Sequence, residues 1–115
     1  MLIRSQNKKY LVSTNNITFY VMDSEVICFG ISGIEDSDYI ILGHYETETK
    51  AMKVLDMIQE AYEEYKITCT FLTGFTGHRA IVESNDIRVN GFEELVKSFK
   101  KNMVFQMPED SEVEV

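Results

Sequence analysis

Thr47-Glu-Thr-Lys-Ala-Met-Lys-Val-Leu-Asp-Met-Ile-Gln-Glu-Ala-Tyr-Glu-Glu-Tyr-Lys66 decides the fold class. Ala51, Val54, Leu55, Ile58, Ala61, Tyr62 and Tyr65 recur at the i, i+3, i+4, i+7 spacing of one apolar helix face. Thr47 is a natural N-cap, and Glu46 and Glu48 lie where the helix dipole favours negative charge. Lys66 supplies the opposite sign for a last turn, and Asp56, Glu60, Glu63 and Glu64 fall mostly on the far face. One long amphipathic helix is therefore expected, and it needs a surface to cover.

The residues before it supply that surface. Lys9-Tyr-Leu-Val12 is a short apolar run ending in the turn-like Ser13-Thr-Asn-Asn16. Ile17, Phe19 and Val21 alternate as a half-buried strand requires. Asp23-Ser-Glu25 breaks the run and Val26-Ile-Cys-Phe29 resumes it, which predicts a hairpin with a short loop. Gly30 to Asp38 is a polar loop, and Tyr39-Ile-Ile-Leu-Gly-His-Tyr45 is the most hydrophobic strand candidate.

Beyond the helix, Ile67-Thr-Cys-Thr-Phe-Leu72 has strand composition, Thr73 to His78 reads as a turn, and Arg79-Ala-Ile-Val82 as a returning strand. Asn90 is placed to cap a second, shorter helix, with Glu93 in the capping-box position. Phe92, Leu95, Val96 and Phe99 would form its apolar face, and Asn102 its end. Val104-Phe-Gln-Met107 is a final extended segment. The expectation is a single α+β domain over residues 1–107: an antiparallel β-meander packed against one long helix, with a C-terminal hairpin and a second helix. Residues 108–115, with the only proline and four acids, read as an acidic flexible tail whose removal leaves the fold intact.

At 115 residues the chain can bury one core unaided. No apolar run approaches the roughly 18–20 residues of a membrane span, and the N-terminus lacks a signal-peptide stretch, so a cytoplasmic protein without a membrane partner is expected. Cys28 and Cys69 lie in apolar runs as structural thiols. The net charge of −8 argues against generic nucleic-acid binding. The charge is also segregated: residues 23–64 hold eleven acids against Lys50 and Lys53, whereas residues 1–22, 66–82 and 95–108 hold none.

Catalytic and metal chemistry find little to stand on. His44 and His78 are the only histidines, and neither lies in a nucleophile motif. The two cysteines and two histidines lack the paired spacing of a zinc site, and the acid pairs Asp36 with Asp38 and Glu63 with Glu64 lack a calcium-loop pattern. No cofactor and no enzyme activity are expected. Thr73-Gly-Phe-Thr-Gly-His-Arg79 is the one segment with ligand-binding chemistry. Gly74 and Gly77 allow backbone N–H groups to approach an anion, Thr73 and Thr76 offer hydroxyls, His78 and Arg79 offer charge, and Phe75 can stack on a base. A plain hairpin tip accounts for the same residues. The segment is not a phosphate-binding P-loop, which would need Gly-Lys-Ser/Thr opening a helix.

Three stretches together resemble a group of small uncharacterised proteins of Gram-positive bacteria and their phages. They are Leu2-Ile-Arg-Ser-Gln6, then Leu42-Gly-His-Tyr-Glu-Thr-Glu-Thr-Lys-Ala51 with Val54-Leu-Asp-Met-Ile58, and then Phe105-Gln-Met-Pro-Glu-Asp110 with Glu112 and Val113. Where those proteins often continue with an acidic-glycine turn, this chain has Asn7-Lys8. The resemblance implies a phage or prophage accessory protein in a host cytoplasm and brings no activity with it. The expected role is non-enzymatic counter-defence: sequestering a nucleotide-like ligand at residues 73–79, in a homo-oligomer. The alternative is an acidic protein that occludes a basic, nucleic-acid-binding host protein; an enzyme of unrecognised type stands third.

Overall fold

The computed structural model describes residues 1–30, 38–73, 97 and 100–115. Among the described residues, six strands, one long helix and one 3-10 turn are ordered as β1 (Leu2–Arg4), β2 (Leu11–Ser13), β3 (Thr18–Met22), β4 (Glu25–Phe29), β5 (Ile40–His44), α1 (Glu48–Thr73), β6 (Val104–Gln106) and the turn Asp110–Glu112. The chain is an α+β domain, as its periodicities imply.

The meander is present as β3-β4-β5, antiparallel throughout. Met22 pairs with Glu25 across a two-residue turn in which Asp23 takes a φ of 56°, a left-handed conformation that Asp tolerates better than most side chains. Phe19 and Val21 turn toward the core as their alternation requires, and α1 packs over β3 and β4. The run Lys9-Val12, expected as the first part of the meander, instead supplies β2 of a second sheet, β2-β1-β6, in which the expected final extended segment is β6. Its centre, β1, pairs antiparallel with β2 and parallel with β6, Leu2 lying opposite Val104 and Ile3 opposite Phe105. Residues 1–8 carried no strand expectation because β1 is only three residues long and its parallel partner comes from the far end of the chain.

A β-bulge in β5 fixes what enters the core. The register slips between Val26 and Ile27, so Ile27 faces Ile41 while Val26 faces Gly43, with Leu42 as the extra residue. An extra residue reverses the alternation beyond it. Leu42 and Tyr45 are both about 1% exposed, while His44 is turned out. Gly43 belongs to the same device: a Cβ there would lie 2.9 Å from the Tyr45 ring, which passes across it.

Two expectations are overturned. Ile67-Thr-Cys-Thr-Phe-Leu72 is not a strand, because α1 continues to Thr73 and Lys66 therefore does not close it. Helix propensity against β-branched residues is worth only a few tenths of a kcal/mol per residue, and no Gly or Pro intervenes before Gly74. Thr68 also turns its hydroxyl back to the Glu64 carbonyl at 2.9 Å, the local bond that seats a threonine on a helix. The strand half of the expected C-terminal hairpin is thus helical; its turn and return strand, residues 74–82, lie outside the described residues. The second helix lies largely outside them too, though residues 100–103 are helical and pass directly into β6, one residue beyond the expected end at Asn102.

The second correction concerns residues 108–115, which are not a free tail. Met107 is about 1% and Val113 about 5% exposed, and both belong to the core with Ile3, Val26, Leu42, Tyr45 and Val54. The 3-10 turn closes with reciprocal bonds between Glu109 and Glu112. The apolar spacing Met107 to Val113 lets one short turn return a valine to the core with acids outward.

Candidate functional site

Three segments distant in sequence meet at the start of α1. Thr47 caps the helix as expected, its hydroxyl accepting the Lys50 N–H at 3.2 Å. The Glu46 N–H lies just outside that cap, and the Asp110 carboxylate accepts it at 2.7 Å. Lys50 then reaches Asp110 at 3.1 Å and Glu46 at 3.8 Å. A carboxylate at this end satisfies a free backbone donor and complements the helix dipole. The Asp110 carboxyl is consequently held below its ordinary range, first by the Glu46 backbone N–H and then by Lys50.

Tyr45 and Gln6 seat the same segment from beneath. The Tyr45 hydroxyl donates to the Pro108 carbonyl at 2.9 Å, and the Gln6 amide donates to that carbonyl at 3.2 Å. Burial raises the Tyr45 phenol above its usual range, with Glu109, Asp110 and Glu112 adding to the shift, so it stays a donor. Gln6 also binds β5: its N–H meets the Leu42 carbonyl at 2.7 Å, and its amide pairs with both the His44 N–H and the His44 carbonyl. Ser5, with no exposed surface, accepts the Tyr10 N–H and donates to Asn7. These polar groups serve one another, so the junction is an architectural site.

What it presents outward is charge. Glu46, Glu48, Glu109, Glu112 and Glu114 are exposed around the helix start, and Asp56, Glu60, Glu63 and Glu64 are exposed further along α1. The docking of residues 107–113 brings two acidic stretches, separated by some sixty positions, to one end of the molecule. Among the described residues, no group of three or more His, Cys, Asp or Glu side chains is placed to hold a metal ion. No described helix is long and apolar enough to cross a membrane. Burial pushes the Cys28 thiol up to about 11, which leaves it a protonated core residue.

Of the ligand-binding residues expected from sequence, Thr73 is the last residue of α1, and Gly74, Phe75, Thr76, Gly77, His78 and Arg79 lie outside the described residues. Gln6, Tyr45, Lys50 and Asp110 went unnoticed in the sequence as a group. Each has a common residue type, and only the three-dimensional path of the chain unites them. Comparison with protein-family models, curated proteins and solved structures finds no match to this chain.

Proposed function

We propose that this protein is a non-catalytic binding protein that presents an acidic face to a basic partner. The observation that carries the proposal is the docked C-terminal segment, which adds Glu109, Glu112 and Glu114 to the acidic start of α1 while Asp110 holds the segment in place. A partner evolved to grip nucleic-acid phosphate offers the complementary charge. Occluding such a host protein suits the phage accessory role implied by the sequence resemblance.

Charge reversal on α1 tests this directly. The triple variant Asp56→Lys, Glu60→Lys, Glu63→Lys is compared with the wild type in capture from host lysate at low and high salt. A basic partner retained only by the wild type, and released by salt, supports the proposal. A partner retained equally by both proteins sinks it. Truncation after Met107 is the wrong control, since it also removes core packing. Glu109→Gln with Glu114→Gln reduces the charge and leaves Asp110 in place.

Sequestration of a nucleotide-like ligand is the second reading, motivated by the composition of residues 73–79. It requires nucleotide affinity that falls on Arg79→Ala and survives the α1 charge reversal.

A further inference from the structure

Among the described residues, β2 ends its sheet. The Ser5 N–H bonds the Tyr10 carbonyl and the Thr14 N–H bonds the Met1 carbonyl. In the alternating pattern of an antiparallel pair, Tyr10, Val12 and Thr14 therefore direct their backbone groups at β1. Leu11 and Ser13 turn theirs outward, away from β1. The edge at β5 differs, because Gln6 already covers it with bonds to Leu42 and His44. A groove of about 430 Å³ runs beside β2, lined from that strand by Tyr10 and Leu11 and from one end of the meander by Asn16, Ile17, Gly30 and Ile40. Lysines often guard a sheet edge, but Lys8 and Lys9 lie before the strand, and Tyr10 and Leu11 stay 47% and 57% exposed.

We propose that β2 accepts an extended acidic segment of a partner protein as an added antiparallel strand. Backbone pairing with Leu11 and Ser13 holds the segment, and its side chain opposite Val12, which also lines the groove, enters it. Charge decides the partner. Lys8 and Lys9 are exposed at the turn end of β2, and Arg4 joins them there, its guanidinium donating to the Lys8 carbonyl at 3.3 Å. Residues 1–22 contain no acid to balance these three cations. A segment running antiparallel to β2 passes Leu11 and then Lys9, so acids at its C-terminal end complete the match. A second copy of β2 would bring more positive charge to the same place. The surface is separate from the acidic face of α1 and does not depend on the partner proposed for it.

The test titrates the full-length protein at low salt with three peptides, read by calorimetry and by amide hydrogen exchange. They are acetyl-Thr-Val-Thr-Val-Glu-Glu-amide, its counterpart ending in Lys-Lys, and the acidic peptide N-methylated at both threonines, the residues placed opposite Ser13 and Leu11. The acidic peptide should bind saturably and slow exchange of the Leu11 and Ser13 N–H groups. The other two should bind about tenfold more weakly or worse. Leu11→Pro removes one outward donor and no bond to β1, and should weaken the acidic peptide by about fivefold. If that variant fails to fold, the N-methylated peptide makes the same test from the ligand side. Lys8→Glu with Lys9→Glu should reverse the preference between the two charges. An acidic peptide that binds no better than the lysine or N-methylated one, or that leaves both amides unprotected, overturns the proposal. So does protection of the two amides that grows with protein concentration alone, which would assign the edge to a second copy.

Discussion

Gln6 and His44 are joined as two neighbouring strand residues would be, except that one peptide group of the pair is a side chain. The Gln6 Oε1 accepts the His44 N–H at 2.9 Å and the Gln6 Nε2 donates to the His44 carbonyl at 3.2 Å. The main-chain N–H of Gln6 binds Leu42 on the same edge of β5. One residue thus ties the β2-β1-β6 sheet to the edge of the β3-β4-β5 meander at β5, and its remaining donor holds Pro108.

Gln6→Ala should lower stability by about 2 kcal/mol, since it removes several bonds each worth about 0.5–1.5 kcal/mol net. Gln6→Glu is the sharper comparison. The carboxylate keeps the acceptor for His44, loses both donors and places negative charge beside two carbonyls. Urea denaturation should rank wild type above Gln6→Ala, with Gln6→Glu no better than Ala. A glutamate variant as stable as the wild type would show that the donors contribute nothing.

Gly43→Ala should destabilise by about 1–3 kcal/mol, the usual cost of overpacking a core. The new methyl would lie 2.9 Å from the Tyr45 ring. In the background of Tyr45→Leu the same substitution should cost less than about 1 kcal/mol, because the obstructing ring is gone. A double-mutant cycle by thermal unfolding measures the coupling; additive effects would place the strain elsewhere.

Lys8→Gly should stabilise the protein by about 1 kcal/mol, since a side chain in the left-handed region costs about 1–2 kcal/mol that glycine avoids. Lys8 holds a φ of 65° in the turn between β1 and β2, and its side chain is exposed. A higher thermal midpoint is the expected result, and a lower one would mean that the lysine side chain contributes to the turn.

Acid should loosen the C-terminal segment before it unfolds the domain. The Asp110 carboxyl lies below its unfolded value in the native protein, so its contribution is complete above that unfolded value, near pH 4, and is lost as pH falls through the lower native value. Asp110→Asn removes the contribution at every pH. Thermal midpoints of wild type and variant should therefore differ at pH 7 and converge as pH drops below about 4. A gap that stays constant into acid would assign the effect to packing.

The start of α1 was legible because capping is local: Thr47 and Lys50 are three positions apart and bond as the spacing demands. Its end was not. Ile67-Thr-Cys-Thr-Phe-Leu72 has strand composition, but a helix already under way continues through such residues at small cost. The meander was visible because successive strands pair with their neighbours, whereas β1 and β6 recognise each other across most of the chain and are too short to show alternation. Residues 108–115 misled for a related reason. Acid content identified the exposed side of that segment, and the single inward Val113 gave no periodic signal.

The position of β1 has a consequence for how the molecule is made. Leu2 reaches its parallel partner only when Val104 has emerged, about a hundred positions later. During synthesis β3, β4 and β5 can assemble and receive α1, while β1 and β2 must wait as an incomplete two-stranded ribbon with one edge open. That edge is the nascent chain's exposed flank for aggregation, and its closure should be the slow, late step of folding. A circular permutant joining Val115 to Met1 and opened between Asp23 and Ser24 would turn this last encounter into an early one.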